Sequence, residues 1–226
     1  FVASQASLTG SGALSFDAYS ILELTNATGW TGTQATSATG VEQAIVRVGV
    51  AAPGTAGTAN TPGTETTLAT MFSTGTNIFE LSVATVTPVN PITGLNTTVL
   101  YLNGGGLTNA GLDATFAATG NGTIKIGSAG GSIASSTGYN LTVTEDIQLG
   151  GNTITIGSNA ALNGYGKLGR VILANVIGNV AGSKINVVSG AELAASGNWT
   201  TANTTLNLAS GSVMNIVNVL ATTPFS

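Results

Sequence analysis

Cysteine and histidine are both absent from this chain of 226 residues. Without cysteine there is no disulfide framework and no thiolate metal site, so stability must come from packing and backbone pairing. Without histidine, Ser-His-Asp and Cys-His catalytic triads and histidine zinc sites are excluded, and the usual side chain that changes charge near neutral pH is missing. These two absences remove whole classes of enzyme.

Charge is also scarce, since only 6% of the residues are charged where roughly 25% is usual. Residues 1–124 hold six acids and one arginine, and residues 125–226 hold three acids and four bases. Neither half is basic enough to follow a phosphate backbone, so nucleic-acid binding is not expected. A neutral exterior is cheap to desolvate and favours packing against copies of the same chain, although adaptation to an unusual extracellular medium would produce the same composition.

Long apolar runs are missing as well. The best candidate, residues 171–180, is interrupted by Asn175, Gly178 and Asn179, and it is shorter than the roughly 20 residues that span a bilayer. We therefore predict no membrane span. The sequence begins at Phe1 without a basic segment and apolar stretch, which fits a mature secreted form at an extracellular or cell-surface location, although a truncated sequence would look the same.

A short pattern recurs in the second half of the chain. Residues 154–162 read I-T-I-G-S-N-A-A-L, residues 185–193 read I-N-V-V-S-G-A-E-L, and residues 206–214 read L-N-L-A-S-G-S-V-M. Each unit has two apolar residues two apart, then a turn pair, then an apolar residue six positions after the second. With a partial copy at Ile124, the units start 30, 31 and 21 residues apart, which is typical of coils stacked in a β-solenoid. The predicted turn pairs are Ser158-Asn159, Ser189-Gly190 and Ser210-Gly211.

The first half has longer strand-like runs separated by Thr/Gly/Pro loops, such as residues 52–65. Apolar alternation predicts strands at residues 46–50 and 79–83, with Glu23 and Glu80 on solvent faces of strands, opposite Arg47 or a lysine. Further strands are predicted at residues 97–102, 113–117, 123–126, 140–144, 146–149, 153–156, 171–174, 184–188, 206–208 and 213–219.

These patterns predict an all-β fold with two regions. Residues 1–119 are predicted to form a β-sandwich-like region that includes an N-terminal assembly strand. Residues 120–226 are predicted to form a β-solenoid-like repeat region, with a jelly roll or sandwich as the alternative.

The two ends of the chain are similar to each other. Residues 8–16 (L-T-G-S-G-A-L-S-F) match residues 208–216 (L-A-S-G-S-V-M-N-I) in apolar positions at offsets of zero, six and eight. If both form coils, the last coil of one molecule can stack on the first coil of the next, because an uncapped solenoid leaves open edges. The residues predicted to take part in assembly are Leu8, Leu14, Phe16, Leu208, Met214 and Ile216.

The three repeat units resemble the coils of bacterial surface β-helix proteins, such as autotransporter passengers and large secreted adhesins. This resemblance covers at most residues 120–219, and it implies secretion, surface display and adhesive or matrix roles without catalysis. The chain departs from that family because it is short, lacks a recognisable membrane-barrel segment and carries a long region outside the repeats. Its neutral Thr/Asn/Gly-rich composition also resembles that of extracellular filament subunits of thermophiles and archaea.

The acidic residues are scattered, and the one adjacent pair, Glu145 and Asp146, would point to opposite faces of a strand. A carboxylate-pair enzyme is therefore not expected, and neither a catalytic residue nor a cofactor is assigned. The sequence permits a structural calcium ion but carries no calcium-binding motif. It also permits N-glycosylation, although about five sequons would arise by chance in this composition. The six sequons are at Asn26, Asn96, Asn121, Asn140, Asn198 and Asn203.

The predicted function is structural. We expect a secreted protein that assembles with copies of itself into a filament, sheath or surface layer through β-edge pairing and the packing of neutral surfaces. The alternative is an adhesin or viral fibre module that binds surface glycans or a host.

Overall fold

A computed structural model gives the structure of the chain. It describes residues 2–5, 13–16, 21–24, 33–36, 45–48, 78–81, 85–86, 97–102, 104–109, 111–117, 122–162 and 165–219, with side chains at 100, 102, 104–109, 111–117, 122–158 and 167–217. These residues form strands and turns and include no helix. The described part of the chain accordingly has no helix with the length and hydropathy needed to cross a membrane.

The described residues form 22 strands. In chain order they are β1 (Val2–Gln5), β2 (Ala13–Phe16), β3 (Ile21–Leu24), β4 (Thr33–Thr36), β5 (Ile45–Val48), β6 (Ile78–Leu81), β7 (Thr85–Val86), β8 (Thr97–Leu102), β9 (Gly106–Asn109), β10 (Ala114–Phe116) and β11 (Gly122–Ile126). They continue with β12 (Gly131–Ala134), β13 (Asn140–Gln148), β14 (Thr153–Ile156), β15 (Ser158–Leu162), β16 (Tyr165–Lys167), β17 (Arg170–Ile177), β18 (Ser183–Val187), β19 (Glu192–Gly197), β20 (Trp199–Thr200), β21 (Thr204–Leu208) and β22 (Val213–Val219).

Two parallel sheets of nine strands carry the fold. The first sheet has the order β1-β3-β5-β6-β9-β12-β14-β18-β21. The second sheet runs β22-β19-β17-β13-β10-β7, with β8, β11 and β20 paired beside it. From β9 onward the chain passes back and forth between the two sheets, so each circuit adds strands to both, whereas β2 and β4 form a separate two-stranded sheet. This is the β-solenoid that the repeat units predicted.

The first sheet shows the length of each coil. Leu107, Ile133, Ile156, Val187 and Leu208 occupy the same register position on successive strands, at intervals of 26, 23, 31 and 21 residues. The coils from β9 to β22 therefore make about four turns. The longest interval contains the antiparallel hairpin of β15 and β16, which is an insertion into the coil.

Inward-facing apolar residues form continuous rows along the solenoid axis. In the second sheet one row is Ala114, Leu141, Val171, Leu193 and Met214. A parallel row is Phe116, Val143, Leu173, Ala195 and Ile216. The alternating burial along β13 follows the two-residue period of a strand with one buried face. Because each coil repeats this pattern, the core is one column of stacked apolar side chains.

Two of the three predicted turn pairs are confirmed. Gly190 and Gly211 both lie in turns and have positive φ values of 80° and 78°, which glycine adopts without steric cost. The prediction is wrong for Ser158-Asn159, because both residues lie in β15 and the residue with positive φ is Gly157. The inserted hairpin also moves the third apolar residue of this unit, Leu162, out of the coil.

The sequence prediction is also wrong for the segment at Ile124, which is not a copy of the unit that begins at Ile154. Ile124 lies in β11 of the second sheet, opposite Ile147, whereas Gly131 occupies the register position of Ile154 in the first sheet. An apolar alternation fits any inward-facing strand, so it does not reveal to which sheet the strand belongs.

In the first half of the chain, the described strands β1, β3, β5 and β6 pair in parallel and extend the first sheet. Glu23, Arg47 and Glu80 share one register position on three neighbouring strands, which confirms the predicted opposition of the two acids to Arg47. The solenoid coils include β9 and β10 and so begin before residue 120. The sandwich-like region over residues 1–119 stays a prediction, because most of these residues lie outside the described part.

A buried polar cluster ties the hairpin to the preceding coils. The Lys167 side chain is fully buried, and its Nζ donates to the carbonyl oxygen of Asn109 (2.5 Å) and to Ser136 Oγ (3.0 Å). The Asn109 amide in turn donates to Ser135 Oγ (3.1 Å), and its Oδ1 accepts the Ser136 backbone N–H (2.6 Å). These bonds satisfy polar groups whose burial would otherwise cost free energy.

Candidate functional site

The last described coil, formed by β21 and β22, exposes a set of large apolar side chains. Ile216 is 67% exposed, Val217 53%, Leu208 49% and Val213 48%. We call these four residues the end patch. Among the residues whose side chains are described, the only other exposed large hydrophobic residues are Tyr139 and Val180.

Register explains why these residues are apolar. Ile216 continues the row of Phe116, Val143, Leu173 and Ala195, and every earlier member of that row is at most 1% exposed. Leu208 likewise follows Val187, which is 1% exposed. The end patch is therefore partly the core column itself, left uncovered because no described coil stacks on it.

The backbone of the end coil is open in the same direction. Within the described residues, β21 pairs only with β18, and β22 pairs only with β19. Edge strands of this kind present N–H and C=O groups that readily pair with another strand. The sequence carries no charged side chain after Glu192, so no charge on this segment opposes such pairing.

Polar side chains attach the end coil to the coil beneath it. Asn207 Nδ2 donates to Asn186 Oδ1 (2.8 Å), and Asn215 Nδ2 donates to Glu192 Oε1. Glu192 Oε1 also accepts from Arg170 Nε at 2.7 Å, so one carboxylate connects three successive coils. These contacts hold β21 and β22 in register, with Leu208 and Ile216 continuing buried rows that no described coil covers.

The structure brings the three C-terminal assembly residues together. Leu208 lies at the end of β21, and Met214 and Ile216 lie two residues apart in β22, with Met214 half-buried. Of the N-terminal set, Leu14 and Phe16 lie on β2, which pairs in parallel with β4, and Leu8 lies outside the described residues. The sequence prediction omitted Val213 and Val217, which the alternating apolar pattern V-M-N-I-V leaves outside the inward row.

The strand at the opposite edge of the first sheet is β1. Ala3 pairs with Leu22, and this register position continues from strand to strand through Leu107 to Leu208. The two edges of the first sheet are thus its first and last strands, and they run in the same direction.

No group of three or more histidine, cysteine, aspartate or glutamate side chains lies together in the described residues. Glu145 is buried and its neighbour Asp146 is half-buried, so the two point to opposite faces of β13. Asp113 accepts bonds from the backbone N–H and the amide of Asn140, at 2.7 and 3.1 Å. Asp113, Glu145 and Glu192 thus have hydrogen-bond partners within the fold.

Three of the six sequon asparagines lie in the described residues. Asn198 and Asn203 are exposed, whereas Asn140 is half-buried and bonded to Asp113. Asn26, Asn96 and Asn121 lie outside the described part of the chain.

Comparison of the chain with protein families, with curated proteins and with solved structures gives no match in any of the three. The repeat units indicate the solenoid fold. Because no match indicates a function, we infer the function from the exposed surfaces.

Proposed function

We propose that this chain is an extracellular structural subunit that assembles end to end into a filament, sheath or surface layer. The observation that carries the proposal is the end patch, where the buried rows of the core continue onto an uncovered coil. Solenoids that end in solution usually carry a polar capping repeat. The last described coil is apolar instead, which suits it to being covered.

A second copy of the chain fits this end. Its strand β1 is the free edge of the first sheet, and adding it beside β21 continues the same parallel pairing. Two β21 strands meeting across a two-fold axis would have to pair antiparallel, and that contact would stop at a dimer. Head-to-tail stacking leaves the same two edges free after every addition, so it produces a polymer.

Charge supports the same contact. Residues 1–16 and 193–226 contain no charged side chain. Covering the end patch requires no desolvation of an ion and no matching of charges. Burial of a Leu or Ile side chain contributes about 1.5–3 kcal/mol, and Leu208 and Ile216, which continue buried rows, are about half or more exposed, so covering these two contributes about 1.5–3 kcal/mol.

The extracellular location rests on composition and on the repeat units. A chain with few charges and with coils that resemble those of bacterial surface proteins fits a matrix or surface role. Detection of the native protein outside the cell, by fractionation and mass spectrometry, tests this part of the proposal.

Assembly is tested by electron microscopy and light scattering on the full chain. We expect ordered polymers whose formation increases with protein concentration. Ile216→Lys should weaken assembly at least about tenfold, because Ile216 continues a buried row and the lysine would place a charge within the covered surface. Val180→Lys is the control, since Val180 is 47% exposed but lies in a turn on the side of the solenoid.

A wild-type chain that stays a monodisperse monomer at high concentration would contradict the proposal. So would equal effects of the two lysine substitutions, since both replace an exposed apolar residue and only Ile216 lies at the end coil.

A further inference from the structure

A groove of about 400 Å³ lies on the outer side of the first sheet, away from the end coil. This volume falls within the range of small-ligand sites. We call it the side groove. Its lining residues are Gly104, Ala129, Gly130, Gly131, Ser132, Thr153, Thr155, Gly157, Ser158 and Val188.

The side groove exists because of small residues on three neighbouring coils. Gly106, Ser132 and Thr155 share one register position on β9, β12 and β14. On the next strand, β18, this position is Asn186, and the position beside Thr153 is Lys184. The longer side chains of β18 therefore end a depression whose floor is glycine, serine and threonine.

Hydroxyl groups in this floor are available to a ligand. The Thr153 and Thr155 hydroxyls make no hydrogen bond within the described residues, and Ser132 Oγ has one contact at 3.5 Å, to the Gly105 carbonyl. Ser132 and Thr155 lie on adjacent strands about 4.8 Å apart, and Thr153 lies about 6.6 Å from Thr155 along β14. The floor is therefore a set of hydroxyls spaced along and across the strands.

None of the described lining residues is ionisable or aromatic. A charged ligand would find no partner of opposite charge among them, and Lys184 lies at the border of the groove beside Thr153. An extended peptide is also a poor match, because the backbone groups of a sheet floor are already paired and cannot satisfy the peptide's own N–H and C=O groups. A neutral carbohydrate both donates and accepts hydrogen bonds through hydroxyls, and its C–H surfaces can contact glycine and valine.

We propose that the side groove binds a neutral oligosaccharide. Ser132, Thr153 and Thr155 would supply the hydrogen bonds, and the glycines would let the sugar rings approach the backbone. Without an aromatic platform, a single site should bind weakly, with a Kd in about the millimolar range. This inference does not depend on end-to-end assembly, since the side groove and the end patch are separate surfaces.

The test uses the full chain and saturation-transfer difference NMR. The probes are the hexasaccharides of cellulose, chitin, mannan and 1,3-β-glucan. Hexagalacturonate serves as the charged probe, and a capped hexapeptide of glycine, serine and threonine serves as the peptide probe. We expect saturable binding of at least one neutral hexasaccharide and no comparable binding of the other two probes.

Matched variants locate the site. Thr153→Val and Thr155→Val each remove one hydroxyl with little change of shape, and each should weaken binding roughly fivefold, as expected for one lost hydrogen bond. Thr205→Val is the control, because Thr205 shares the register position of Thr153 two coils away, is exposed and lies outside the side groove. Ser132→Ala gives a third variant should either valine variant fail to fold by circular dichroism.

The proposal is overturned if no neutral hexasaccharide shows saturable binding up to 20 mM, which is on the order of ten times the expected Kd. It is also overturned if Thr205→Val loses as much binding as the groove variants. Preferred binding of the charged or the peptide probe would overturn it as well. The Ile216→Lys variant separates this proposal from the assembly proposal. It should bind the sugar like the wild type even where it no longer assembles.

Discussion

The core row that ends at Ile216 allows a direct test of the end patch. Leu173 and Ile216 occupy the same row, but Leu173 is fully buried and Ile216 is 67% exposed. Truncating a buried leucine or isoleucine to alanine typically costs 2–5 kcal/mol, because the contacts are lost and a cavity remains. Ile216 is only a third buried. Ile216→Ala should therefore lower the free energy of unfolding of the dispersed chain by about 1 kcal/mol, compared with about 3 kcal/mol for Leu173→Ala.

Urea denaturation followed by circular dichroism measures both costs. The protein should be dilute enough for light scattering to show single chains. Hydrogen exchange shows which coils open most easily. Because a solenoid is stabilised coil by coil, the end coil should open at a lower free energy than the inner coils. Amides of β22 should therefore exchange faster than those of β17.

Equal costs for the two alanine variants in dispersed chains would refute this reasoning, since Ile216 would then be packed within its own molecule. Under assembling conditions the expectation reverses. If a second copy covers the end patch, Ile216→Ala should weaken association about five- to thirty-fold, which corresponds to about 1–2 kcal/mol of lost burial. Leu173→Ala should lower the stability of the subunit without changing its association once it is folded.

Three further substitutions test other parts of the fold. Lys167→Met should lower the free energy of unfolding by about 1–2 kcal/mol, measured by urea denaturation, because it removes one of the donors to each of two buried oxygens, the Asn109 carbonyl and Ser136 Oγ. Gly169→Ala should destabilise more than Gly138→Ala in the same assay. A Cβ at Gly169 would lie 2.2 Å from a carbonyl oxygen, whereas one at Gly138 meets nothing within 4 Å and costs only the strain of its positive φ, about 1–2 kcal/mol. On expression in a glycosylating host, glycopeptide mass spectrometry should find Asn198 occupied more fully than Asn140, because the Asn140 amide is bonded within the fold.

Local patterns in the sequence predicted much of the solenoid. The strands at residues 97–102 and 213–219 are found with the predicted bounds, because apolar alternation and flanking turn residues act over a few positions. Gly190 and Gly211 mark corners for the same reason. The repeat from residue 185 onward could be predicted from the sequence because its coil of 21 residues contains no insertion.

The remaining features depend on contacts between distant residues. The strands β9 and β12 begin with glycine, which has no side chain to contribute to a periodic pattern, and the sequence analysis did not identify them. The burial of Lys167 depends on oxygens supplied by Asn109 and Ser136, residues that precede it by 58 and 31 positions. The side groove likewise requires Gly130 and Thr153 to be neighbours, and only the coil length decides that.

The two proposed surfaces are compatible because they lie in different directions. The uncovered rows at Leu208 and Ile216 open at the end of the stack of coils, and the side groove opens from the outer side of the first sheet. Head-to-tail stacking would therefore leave every side groove accessible and repeat it at a fixed interval along the polymer. A set of weak sites held in this way binds an extended glycan with an avidity far above that of one site, through effective concentration alone. Weak binding by a single subunit is thus what a surface filament with carbohydrate contacts requires, since firm attachment comes from the number of subunits.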